Sequence, residues 1–332
     1  MAQRDQDCNK NIMAELNRFW RRTPPALFPS LLGLFGLALA WRKAAFVFDV
    51  PPVIGETIGL CATIILVVTL SSYVVKLMIR PTVLWDDLKI SPARGSVSAG
   101  SMCAMALATY LLYYSAFGAF LIWWMSLGLH AVYFSCVLLM LIRHENCWDE
   151  VSPVIMLPAV GFLVATLAAP ALGYTNFAYF VLALTFPVSA AILLLSLWNA
   201  RKLGVPMPQR TSYAIFLAPP SVAALGAYEL SGFDYFLPFW IGASLVALAL
   251  LPFSRWMTAG GYSPAWGAFT FPLAAFAAVQ LVAVQADYGL VAQVMAIVVL
   301  ATASLLIPYV VFRTYVSWAR GTLAEATKAA VA

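Results

Sequence analysis

From Thr57 to Val75 the chain reads Thr57-Ile58-Gly59-Leu60-Cys61-Ala62-Thr63-Ile64-Ile65-Leu66-Val67-Val68-Thr69-Leu70-Ser71-Ser72-Tyr73-Val74-Val75, nineteen residues without a charge, bounded by Glu56 and Lys76. A helix of about 20 predominantly apolar residues crosses the hydrocarbon core of a bilayer. Similar runs recur along the 332 residues, of which 63% are hydrophobic and 10% charged. A soluble domain carries about 25% charged residues, so this composition excludes one and makes the bilayer the solvent.

Spans are expected at 26–43, 51–78, 96–116, 118–142, 152–170, 174–199, 210–229, 233–254, 263–285 and 288–314, with Pro, Gly or charges in most links. Residues 1–25 then form a cytoplasmic tail, 26–318 a ten-helix transmembrane domain and 319–332 a second cytoplasmic tail. A surface-lying amphipathic helix through Ile12, Leu16, Phe19 and Trp20 is the alternative for the first tail. Of the 19 Lys and Arg, only Arg42 and Lys43 fall in outer segments when the N-terminus is placed inside; the other 17 are inner. That asymmetry orients the chain with both ends cytoplasmic.

The odd-numbered spans begin 53 to 70 residues apart, which suggests five helical hairpins in series. Four of them carry proline early: Pro29, Pro158, Pro219 with Pro220, and Pro272. Small residues recur on them at steps of three or four, on one helix face. The stripes are Pro29, Gly33, Gly36 and Ala40; Ser98, Ser101, Ala104 and Ala108; Pro158, Gly161, Ala165 and Ala168; Ala214, Ala218, Ser221 and Ala224; and Gly267, Phe271, Ala274 and Ala278. Close packing explains any one of these. Alternation over five spans points to a shared axis, with bulky even-numbered spans such as Phe120, Trp123, Trp124 and Phe134 outside. The eighth span, with Gly242, Ala243, Ala247 and Ala249, departs from the pattern.

Embedded ionisable groups mark proton relays and coupling sites. Here Glu56, Glu229 and Asp287 lie near span ends, and Lys76, Arg80 and Arg313 are expected to snorkel at the inner side. Only His130 is central, and on a bulky helix it reads as a hydrogen-bonded packing residue. Asp86, Asp87, Glu145, Asp149 and Glu150 read as solvated loop charges. Five scattered cysteines form no CxxC pair, so neither a disulfide framework nor a metal site is expected, and no cofactor motif or nucleic-acid patch is present. A passive pore needs no titrating group. Proline kinks, Ser98, Ser101 and Ser221 offer polar atoms to an anion, and inner basic residues concentrate anions there.

Three segments carry a resemblance: Phe216-Leu217-Ala218-Pro219-Pro220-Ser221-Val222-Ala223, Trp266-Gly267-Ala268-Phe269-Thr270-Phe271-Pro272-Leu273, and Phe28-Pro29-Ser30 with Gly33, Gly36 and Ala40-Trp41-Arg42. With the order of the spans, they resemble the tellurite-resistance/dicarboxylate transporter family, which includes TehA-like bacterial proteins, yeast-type malate permeases and the slow-type anion channels of plant guard cells. The resemblance implies an all-α integral membrane protein of the bacterial inner membrane, with five hairpins in quasi-fivefold arrangement around a central pore. It also implies a homotrimer with one pore per protomer, passing small inorganic or organic anions, tellurite handling being incidental. A phenylalanine on the ninth helix gates such pores, and the matching residue is Phe271. Phe271 is also the one bulky member of its stripe, while Phe269 lies about 200° around the helix; Phe276 is the fallback. The third span departs from the family pattern in lacking an interior proline, Pro92 lying before it.

The expected pore lining is Pro29, Gly33, Gly36, Ser98, Ser101, Pro158, Gly161, Ala165, Ala218, Pro219, Ser221, Gly267, Pro272, Ala274 and Ala278. The alternative function is a proton-coupled carrier of C4-dicarboxylates or other organic acids, for which His130 and Glu56 are the only candidate couplers.

Overall fold

A computed structural model describes residues 20–332. The tail expectations for residues 1–19, with Cys8 and most of the amphipathic alternative, lie outside the described residues. Ten long helical segments follow: α1 (Leu27–Phe48), α2 (Val53–Ile79), α3 (Ser91–Leu111), α4 (Ala116–Ile142), α5 (Pro153–Leu167), α6 (Thr175–Leu203), α7 (Met207–Ser231), α8 (Phe236–Thr258), α9 (Pro264–Gln285) and α10 (Gly289–Ala319). Short helices at Val83–Lys89 and Thr322–Ala326 complete the described residues, which hold no strand.

Eight of the ten are long and apolar enough to cross a membrane; α3 and α5 are the exceptions. In α3, Gly95, Ser96, Ser98, Gly100 and Ser101 lower the hydropathy, yet all five are buried against other helices. In α5, only Met156–Val160 is α-helical, and Gly161–Leu167 is a 3₁₀-helix. The 3₁₀ rise is about 2.0 Å per residue against 1.5 Å, so fifteen residues reach roughly 27 Å. The lower half of α7, Met207–Leu217, is 3₁₀ as well, and α-helix resumes at Ala218 with Pro219 in its first turn.

Burial separates two layers. Within the most apolar windows, 78% of α9, 56% of α1 and 50% of α7 is buried, against 11% of α8, 22% of α6 and 28% of α4. The odd-numbered helices are therefore inner and the even-numbered ones outer. The eighth span belongs outside despite its small residues, since nothing stands within 4 Å of where a methyl on Gly242 would be.

Several small residues serve helix packing. Gly33 faces Thr270, Gly59 faces the ring of Tyr110, and Gly226 faces Thr166 so closely that a methyl at any of them would overlap the neighbour. At one end of the bundle, Arg42 donates to the Tyr110 carbonyl (2.8 Å) and the Tyr114 hydroxyl (2.9 Å), and Lys43 pairs with Glu229 at 3.1 Å.

At the opposite end three expectations need correction. The third helix begins at Ser91, not 96, with Pro92 inside its first turn, because the preceding residues form the helix Val83–Lys89. Asp87 is not a solvated loop charge. It is fully buried, 2.9 Å from Lys76 Nζ, and it accepts from the Tyr73 hydroxyl (3.1 Å) and the Ala330 amide (3.0 Å). Lys76 does not snorkel to water; it is fully buried and donates also to the Thr23 carbonyl at 3.1 Å. The gain is mutual, since each charge removes the desolvation cost of leaving the other unpaired.

Candidate functional site

A cavity of about 660 Å³ opens between the inner helices. Its wall takes Pro29 and Leu32 from α1, Gly95, Ser96 and Met102 from α3, Val160, Gly161 and Val164 from α5, Ala218, Pro219 and Val222 from α7, and Gly267, Phe271 and Pro272 from α9. All five odd-numbered helices contribute. Of the even-numbered ones, only the last turns of α6 do, through Ser196, Asn199, Ala200 and Leu203. The mouth is formed by the links before α3, α5, α7 and α9 and by residues 326–329. It thus lies at the end of the bundle where Lys and Arg accumulate.

Along α3 the wall runs from Ser91 to Met102, roughly 16 Å at 1.5 Å per residue and so about half of a ~30 Å hydrocarbon core. Its deep end is apolar, lined by Leu32, Met102, Leu163, Val164, Val222 and Phe271. Phe271 is 8% exposed, and it is the farthest wall residue along α9 except Pro272.

Two helices hold that ring. The Thr270 hydroxyl donates to the Pro29 carbonyl at 2.9 Å and to its own Gly267 carbonyl at 2.8 Å, locking α9 to α1. Gly36 then lies against Ala274 and the Phe271 ring. Pro272, inside α9, has no N–H to offer the Ala268 carbonyl, so the helix loses one bond beside the ring. Pro272 therefore frees a carbonyl acceptor and supplies no donor of its own. Donors must come from side chains and basic residues.

Of the expected lining residues, Pro29, Gly161, Ala218, Pro219, Gly267 and Pro272 reach this cavity together with Phe271. Gly33, Gly36, Ser98, Ser101, Pro158, Ala165, Ser221, Ala274 and Ala278 do not border it. Gly33, Gly36 and Ala274 instead form the α1–α9 contact. The fallback residue Phe276 is 2% exposed and off the wall. Leu32, Met102, Val164 and Val222, each next to a small residue of a stripe, also border the cavity. The α6 end and the 326–329 segment carry no sequence signal of their own.

His130 stands behind the wall. It is fully buried, its Nδ1 lies 2.8 Å from the Ser101 hydroxyl, and its ring meets Phe162 edge-on with centroids 4.5 Å apart. Gly161 makes room for it, since a methyl there would lie 2.7 Å from Cε1. Glu56 is exposed at the opposite end of the bundle. Among the described residues no group of three or more His, Cys, Asp or Glu is placed to hold a metal.

Residues 22–315 match a protein-family model, SLAC1, described as voltage-dependent anion channel. No curated protein matches the chain.

Proposed function

The chain belongs to this SLAC1 family of anion channels and transporters, and from that premise we propose that it is a channel passing small anions along the axis of the five inner helices. The observation that carries this reading is the cavity itself: all five odd-numbered helices contribute to its wall, it opens at the basic end, and its wall on α9 reaches Phe271 and Pro272. In this reading α3 and α5 also cross the membrane, ten spans form a quasi-fivefold bundle, and both termini are cytoplasmic. The cavity is the inner vestibule, and Phe271 is the plug between it and the outer half of the path. The protein works as a homotrimer in a bacterial inner membrane, and any effect on tellurite follows from loose selectivity.

A passive path is favoured over a proton-coupled carrier by the placement of titratable groups. His130 is fully buried behind Gly161, and Glu56 is at the far surface, so neither candidate coupler lies on the cavity wall. The basic mouth raises the local anion concentration. The test is a flux assay with purified protein in liposomes. Anion entry that is unsaturable over a wide range and indifferent to a pH gradient supports the channel. Saturable malate uptake that follows the proton gradient overturns it.

A further inference from the structure

At the end of the bundle away from the cavity mouth, an ion pair joins two inner helices that are not neighbours. α1 packs on α3, α3 on α5, α5 on α7, α7 on α9 and α9 on α1, so α9 stands between α1 and α7. Lys43 of α1 nevertheless reaches Glu229 of α7, Nζ to Oε1, at 3.1 Å. Its amine also lies 4.8 Å from the centre of the Tyr228 ring, and the Tyr228 hydroxyl donates to Gln285 Oε1 of α9 at 3.2 Å. Three inner helices thus meet around one charge pair.

The pair lies on the helix faces that line the cavity, farther along. Lys43 is eleven residues beyond Leu32, and Glu229 is seven beyond Val222 and eleven beyond Ala218. At 100° per residue each interval comes within about 20° of whole turns. Leu32, Ala218 and Val222 all border the cavity. Gly36 lies against the Phe271 ring, so Lys43, seven residues on, stands roughly 10 Å past that ring at 1.5 Å per residue. Neither charge is sealed in: the side chains of Lys43 and Glu229 are 26% and 36% exposed. Arg42, the residue before, is turned to α3, its guanidinium carbon 3.8 Å from the centre of the Tyr110 ring.

We propose that Lys43 and Glu229 form a second closure of the anion path, in series with Phe271, where Lys43 exchanges its carboxylate partner for the passing anion. While the pair is made, the carboxylate cancels the field of the amine, and the two side chains span from α1 to α7. An ion pair this open to water is held weakly. An arriving anion therefore takes the place of Glu229 and accepts the charge-assisted hydrogen bonds of the amine. The proposal rests on the reading of the inner-helix axis as the path.

Planar-bilayer current through purified Phe271→Ala channels tests it, with three further changes made in that background. Glu229→Gln removes the carboxylate and leaves the amine free, so anion current rises roughly threefold; Lys43→Gln leaves an unpaired carboxylate on the path, so current falls by a similar factor. Lys43→Glu with Glu229→Lys rebuilds the pair in reverse and brings current back to the Phe271→Ala level. The opposite signs separate a site on the path from a structural tie, whose loss would move both single variants the same way. A partly exposed pair adds little stability, so all three proteins fold, which their unfolding temperatures verify. Equal currents in the two single variants, or changes of one sign, overturn the closure and leave the pore reading intact. A silent Phe271→Ala channel counts against Phe271 as the plug; current in Phe271→Ala with Glu229→Gln then upholds the pair, and silence there overturns it.

Discussion

The ring of Phe271 rests against Gly36: a β-carbon at position 36 would stand 3.3 Å from the ring Cδ2 and 2.8 Å from Ala274 Cβ. Position 33, one turn earlier on α1, is tighter still, because its methyl would overlap the Thr270 side chain. Overpacking a filled interior typically costs about 1–3 kcal/mol. Thermal unfolding of purified variants should therefore rank Gly33→Ala below Gly36→Ala, and both below the wild type. Unfolding temperatures equal to wild type for both would show that α1 and α9 are not held this closely.

The Thr270 hydroxyl joins the same two helices. Thr270→Val keeps the shape and deletes the bond to the Pro29 carbonyl, so stability falls by about 0.5–1.5 kcal/mol. In the reading of Phe271 as a plug, resting anion current also rises, because α9 is no longer pinned beside the ring. A variant as stable and as quiet as the wild type would remove Thr270 from the account.

Lys76 and Asp87 are both fully buried and 2.9 Å apart. Deleting one partner strands a charge in the interior at a cost of about 3–5 kcal/mol, whereas exchanging both for apolar residues is far milder. Asp87→Ala should give little folded protein, and Lys76→Met with Asp87→Leu should restore much of it. Yield and unfolding temperature of the three proteins decide the matter; a well-folded Asp87→Ala protein would contradict the pairing.

Of the 16 Lys and Arg among the described residues, 14 belong to the mouth end of the bundle. At low salt, anion current entering from that end should exceed current from the other, and the difference should fade near 1 M salt, where the Debye length is about 3 Å. Asymmetry that persists at high salt would point to the pore itself as its source.

Much of this architecture was legible in hydropathy, and the exceptions have physical causes. The inner position of α1 and α9 followed from their small faces, and the outer position of α4 from Trp124 and Phe134; Trp123, expected outside with them, is instead fully buried and donates to the Ala165 carbonyl of α5 at 2.9 Å. The start of α3 was hidden because Ser91, Pro92, Gly95 and Ser96 border the cavity, not lipid, and so need not be apolar. The 3₁₀ turns of α5 and α7 were invisible because hydropathy counts residues and not rise per residue. Gly33 and Gly36 were expected to line a pore, and they face α9 because a residue without a side chain lets two helices touch. The cavity wall beside them needs some bulk to be closed, which Leu32, Met102, Val164 and Val222 supply. The Lys76–Asp87 pair could not be read, since nothing in a charged link tells which carboxylate the fold encloses.

The central claim is that Phe271 closes a preformed anion path, and planar-bilayer current from purified protein tests it most directly. With chloride or nitrate on both sides, the wild type should be nearly silent. Phe271→Ala should conduct, with a reversal potential in a salt gradient set by the anion. If the alanine variant stays silent although folded, or if its current reverses at the cation potential, Phe271 does not plug an anion pore.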